Sequence, residues 1–92
     1  MIQYREIIIK RIIQSTDRLL VEPIIDNSLQ KLIENGTHPF IVIRFIDKLK
    51  ASMNEIKINE VSDVEQGNII QALNVLNNYD VKKINESKIE NI

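Results

Sequence analysis

The chain has 92 residues, a formal net charge of −1, no cysteine and only two glycines. That is the length of one domain, and a domain this small buries only about two-thirds of the surface its unfolded chain exposes, so its Ile-rich core must be efficient. The missing cysteines exclude a disulfide framework and a thiolate metal site, and are compatible with a reducing cytosol. The charge balance offers no surplus of Lys and Arg for a nucleic-acid backbone.

From Tyr4 to Leu20 the residues Ile8, Ile9, Ile12, Ile13, Leu19 and Leu20, with Thr16 among them, fall in one stripe at helical spacing, and Glu6, Lys10, Gln14 and Asp17 hold the opposite face. This predicts helix 1. Ile7-Ile8-Ile9 is β-branched and would suit a strand, but the polar period runs for nearly five turns and is helical. Pro23 disfavours helical geometry at Glu22 and suits the first position of a helix, which puts a break at Val21-Glu22; the alternative is one kinked helix. Helix 2 then runs to about Asn35, with Ile25, Leu29, Leu32 and Ile33 inward and Asp26, Gln30, Lys31 and Glu34 outward. Gly36 suits the left-handed position after a helix, Thr37 can cap the next one, and Pro39 can open its first turn, so a tight αα-hairpin is predicted here.

Helix 3 spans Pro39 to about Glu55, with Val42, Phe45, Ile46, Leu49, Met53 and Ile56 inward. Lys57 to Val61 is a connection whose brief polar/apolar alternation permits an extended segment without a partner strand. Ser62-Asp63-Val64-Glu65 is a capping box that starts helix 4, and Ile69, Ala72, Leu73, Leu76 and Tyr79 give its buried stripe. Four amphipathic helices joined by short connections pack as an antiparallel up-down-up-down four-helix bundle over residues 1–79. The composition then shifts to a C-terminal tail, 80–92, read equally as a frayed extra helix or a disordered end. The expected core includes Ile12, Leu29, Leu32, Phe45, Leu49, Leu73 and Leu76.

No catalytic set can be drawn. His38 is the only histidine and reads as a surface or capping residue of the turn, with pH sensing as the functional alternative. The acidic residues lack metal-ligand spacing, and there is no phosphate-cradling glycine loop or nucleophile elbow. The expectation is therefore no enzyme, no cofactor and no metal. Helix 3 is not a DNA-reading helix, because its first turns carry Phe40, Ile41, Val42 and Ile43 where base-contacting side chains would stand. The longest apolar runs are far too short to span a bilayer and no signal peptide opens the chain, so a cytoplasmic protein without a transmembrane segment is expected. Apolar residues off the buried stripes are Ile7, Val21, Phe40, Ile43, Ile70 and Val75; Phe40 and Ile43, one turn apart, would form a shared partner or dimer patch. In the tail, Lys82, Lys83 and Lys88 form the best basic cluster, interrupted by Glu86 and Glu90.

The order of these features resembles the enterocin A type of immunity proteins, which protect producers of pediocin-like bacteriocins. The resemblance covers about Leu20 to Tyr79: an apolar helix ending at Asn35-Gly36, a short turn with Pro39, Ile43-Arg44-Phe45-Ile46-Asp47-Lys48-Leu49 for the family's apolar-Arg-Leu helix, Ile56-Lys57-Ile58 in the connection, and a last amphipathic helix from Val64 to Tyr79. It implies a cytosolic four-helix bundle that performs no reaction. The partner it implies is the mannose phosphotransferase permease with bound bacteriocin, met at the inner face of the membrane by a monomer or weak homodimer. The family places discrimination between bacteriocins in its C-terminal half, which here selects Tyr79, Val81, Lys82, Lys83, Ile84, Lys88 and Ile89 as partner-binding residues. Two departures bear on the target: the connection from Glu55 to Val61 is longer than the family's, and the tail lacks an aromatic, Gly-containing ending. The alternative reading is a self-associating helical interaction or regulatory module, such as an antitoxin-like partner.

Overall fold

The computed structural model describes residues 2–79 and contains, among them, four α-helices and no strand. These are α1 (Ile2–Ile13), α2 (Val21–Glu34), α3 (Pro39–Glu55) and α4 (Asp63–Asn78), with single 3₁₀ turns at Arg18–Leu20 and Ile58–Glu60. Helix α4 packs against all three other helices, and α1 packs against α2 and α3. Ile8, Ile12, Ile25, Leu29, Val42, Leu49, Met53, Ile69 and Leu76 are buried between them, and the rings of Tyr4 and Phe45 stack with centroids 5.6 Å apart.

Helix α1 ends seven residues earlier than its apolar stripe predicts, at Ile13 rather than Leu20. The reason lies far along the chain. The side-chain amide of Asn68, fully buried in α4, donates to the carbonyls of Ile13 (3.2 Å) and Ser15 (2.8 Å), taking up backbone acceptors that a continuing helix would have used. Locally, Ser15 Oγ donates to the Asp17 carbonyl, and Asp17 Oδ1 accepts from Leu19 N–H at 2.9 Å, so short polar side chains hold the backbone in a turn. The residues beyond the turn fall out of phase. Leu19 and Leu20, expected inside, are 71% and 50% exposed, and Thr16 is also exposed, while Val21, expected off the stripe, is fully buried as the first residue of α2. The break thus precedes Pro23, which sits at the third helical position, where its missing N–H would have had no intrahelical partner. The single kinked helix is not formed.

Between α2 and α3 the chain turns in four residues, Asn35 to His38. Gly36 adopts φ +81°, its N–H donates to the Ile33 carbonyl, and Thr37 N–H donates to the Leu32 carbonyl, both at 3.0 Å. This is the Schellman ending, which favours glycine at the left-handed position. Thr37 belongs to that ending, so the cap of α3 falls to His38, whose Nδ1 accepts from Phe40 N–H at 3.2 Å ahead of Pro39 at the first helical position. The capping box of α4 forms as predicted: Glu65 N–H donates to Ser62 Oγ at 3.2 Å, and Ser62 N–H to Glu65 Oε1 at 3.1 Å. In the preceding connection, the Gln66 amide donates to the Ile58 carbonyl at 2.8 Å, tying the 3₁₀ turn to α4 where the alternation had allowed an extended segment. The buried stripe of α4 is Asn68, Ile69, Ala72, Val75 and Leu76; Val75 was expected off it, and Leu73 is half-buried at its edge.

Candidate partner-binding surface

Of the expected partner-binding residues, Tyr79 is described, and Val81, Lys82, Lys83, Ile84, Lys88 and Ile89 lie outside the described residues. Tyr79 closes α4 with its N–H on the Leu76 carbonyl, and is half-buried against the core. Its phenol hydroxyl donates to Asp26 Oδ1 of α2. Burial first, then this hydrogen bond and the charges of Asp26 and Glu22, push the phenol's pKa well above its ordinary value, because ionising it would strand a charge away from water, forfeit the donated proton and set a negative charge beside two carboxylates. Asp26, expected to face outward, is half-buried and engaged by Tyr79. The end of α4 is therefore latched to the flank of α2 about one and a half turns from its start.

A groove of about 600 Å³ runs between α1 and α2, with Tyr4 and Arg11 on one wall and Pro23, Ile24, Asn27 and Lys31 on the other. The Tyr4 hydroxyl donates to the Ser28 carbonyl at 2.9 Å and Ser28 Oγ to the Ile24 carbonyl at 2.7 Å, so the polar groups of its floor are satisfied within the fold. Arg11 and Lys31 form no ion pair among the described residues. Periodicity gave no sign of this groove, because it assigns faces within each helix and says nothing of the gap left between α1 and α2.

Of the expected Phe40–Ile43 patch, Ile43 is partly buried against the core, while Phe40 is 70% exposed and its ring stacks on the His38 imidazole at 5.3 Å. Ile7 and Ile70 are exposed, as expected. His38 Nδ1 is engaged as the helix cap. Among the described residues, no group of three or more His, Cys, Asp or Glu side chains could hold a metal ion, and no helix is long and apolar enough to cross a membrane.

Comparison with protein-family models, with curated proteins and with solved structures finds no match.

Proposed function

We propose that this chain is a bacteriocin immunity protein of the enterocin A type, whose four helices form an antiparallel up-down-up-down bundle. It acts in the cytoplasm without catalysing a reaction: it binds the mannose phosphotransferase permease once a pediocin-like bacteriocin has engaged it, and blocks the lethal pore from the inner face. Tyr79 and the tail residues Val81, Lys82, Lys83, Ile84, Lys88 and Ile89 carry the discrimination between bacteriocins.

The observation that carries this reading is the latch of Tyr79 on Asp26. A recognition segment needs a fixed point of departure, because each residue of unanchored chain adds ordering entropy that binding must overcome. Further support comes from the order of elements: an apolar helix ending at Asn35-Gly36, Pro39 opening the next helix, and an amphipathic last helix ending at Tyr79.

The test is protection of a bacteriocin-sensitive strain expressing the protein. The full-length chain should protect against at least one pediocin-like bacteriocin. A chain ending at Asn78 should remain folded by circular dichroism and lose protection. Full-length protein that protects against none overturns the family reading, and protection by the truncated chain overturns the assignment to the tail.

A further inference from the structure

Asn35-Gly36 is the one Asn-Gly pair in the chain, and it stands at the turn joining α2 to α3. Both residues are exposed, and nothing lies within 4 Å of the place a Cβ on Gly36 would occupy. An asparagine followed by an unhindered glycine is open to attack on its side-chain amide by the next backbone nitrogen. The closed turn withholds that nitrogen. Asn35 has ψ 3°, which eclipses Gly36 N with the nitrogen of Asn35 and turns it away from Asn35 Cγ, and Gly36 N–H is held by the Ile33 carbonyl at 3.0 Å. Attack requires that this bond break and ψ rotate. Helix ends are among the first parts of a fold to open, and this one is exposed.

We infer that Asn35 is a self-modification site gated by opening of the α2–α3 turn. In the opened turn the Gly36 nitrogen gives its proton to solvent and bonds to Asn35 Cγ. The Cγ–Nδ2 bond breaks, and the amide nitrogen takes up a solvent proton and leaves as ammonia. The resulting five-membered succinimide adds one water: attack at Cγ yields aspartate, attack at the backbone carbonyl yields isoaspartate. No oxidant or cofactor enters. Isoaspartate lengthens the main chain by one methylene between α2 and Gly36, so the paired bonds from Gly36 to Ile33 and from Thr37 to Leu32 cannot both return in register. Aspartate leaves the chain length unchanged and adds a negative charge at the negative end of the α2 dipole. The reaction is thus an irreversible loosening of the turn, and the inference is independent of the proposed function.

The experiment follows amide-to-acid conversion by intact mass and peptide mapping, with isoaspartate labelled enzymatically, during incubation of the full chain at mildly alkaline pH with and without urea. Native protein should convert at Asn35 ahead of its other asparagines, and Asn35→Gln should remove that conversion. The ratio of the urea rate to the native rate should equal the protection of the Gly36 amide in hydrogen exchange, and the isoaspartate product should lose protection at Gly36 and Thr37 while Asn35→Asp keeps it. Native protein that does not convert at Asn35 while the urea-treated chain does overturns the site. Equal rates in the two conditions overturn the gating.

Discussion

Asn68 joins the end of α1 to the body of α4, and its replacement separates two costs that usually come together. In Asn68→Ala the carbonyls of Ile13 and Ser15 lose their donors; two hydrogen bonds at about 0.5–1.5 kcal/mol each amount to about 1–3 kcal/mol. The lost side chain leaves a void worth about 1 kcal/mol, and removing Oδ1, buried without a partner, returns a similar amount. The net loss is about 1–3 kcal/mol from a fold whose whole stability is on the order of 5–15 kcal/mol. Asn68→Asp keeps the shape but puts a carboxylate against two carbonyl oxygens. At pH 7 such a side chain is either ionised without a partner or held neutral, and neutralising a group of ordinary pKa about 3.9 at that pH costs about 4 kcal/mol. The folded pKa of this aspartate lies above its unfolded one, so the stability of the variant is retained below about pH 4 and lost as pH rises through the folded pKa. Urea unfolding of wild type and both variants at pH 7 and pH 4 is the assay. The gap between Asn68→Asp and wild type should narrow by about 3–4 kcal/mol in acid, with the Asn68→Ala gap unchanged. A pH-independent Asn68→Asp gap, or an Asn68→Ala loss under about 0.5 kcal/mol, would refute the role given to this amide.

Phe45→Ala should cost about 3–5 kcal/mol, since the ring is almost wholly buried and stacked on Tyr4; a loss below about 1 kcal/mol in urea unfolding would contradict that placement. Ser62→Ala should cost roughly 0.5–2 kcal/mol despite its exposure, through the capping box of α4, and the same titration reads it. Leu19→Ser should leave stability within about 0.5 kcal/mol while Val21→Ala costs about 2 kcal/mol, the reverse of what a continuous helix through Leu20 would give. Tyr79→Phe should cost about 1 kcal/mol at neutral pH. Because folding raises the pKa of the Tyr79 phenol, its contribution is complete below about pH 10 and lost above it, so wild type should lose more stability than Tyr79→Phe between pH 9 and 11 by chemical denaturation.

How far the fold could be read in advance follows the sequence distance of the contacts that decide each element. Helix α3 matched from Pro39 to Glu55, and α4 began at its predicted capping box, because those signals act within four residues: Pro39 presets φ, and Ser62 and Glu65 satisfy each other's backbone. The end of α1 was misplaced because its terminator, Asn68, lies 55 positions beyond Ile13, and no periodicity in a window around Ile13 contains that donor. One displaced terminus then corrupted the burial of four residues, Thr16, Leu19, Leu20 and Val21. Counting helical phase through the Ser15–Asp17 turn placed Leu19 and Leu20 inside and Val21 outside, the opposite of what the structure has. The cap of α3 went wrong for a local reason: Thr37 is the better capping residue by type, but its N–H is the last donor of the Schellman ending of α2, and the chain is one residue too early there to start the next helix.

The candidate surface obeys the same logic. Tyr79 was legible as the last residue of the α4 stripe, since that needs only the period of its own helix. Asp26 was not, since a helical wheel tells which face a carboxylate occupies and nothing of the phenol that arrives from 53 positions away. What the latch adds is a direction for causes. The half-buried carboxylate of Asp26 is acceptable because Tyr79 supplies a donor, and the Tyr79 ring is held in place because Asp26 accepts. Removing either partner should therefore release the end of α4 before it disturbs Phe45 or Leu49 at the centre of the core. If partner recognition depends on where the chain leaves the packed helices, Asp26→Ala should weaken protection in the sensitive-strain assay while changing none of the residues assigned to contact the partner, and undiminished protection by that variant would separate the latch from recognition.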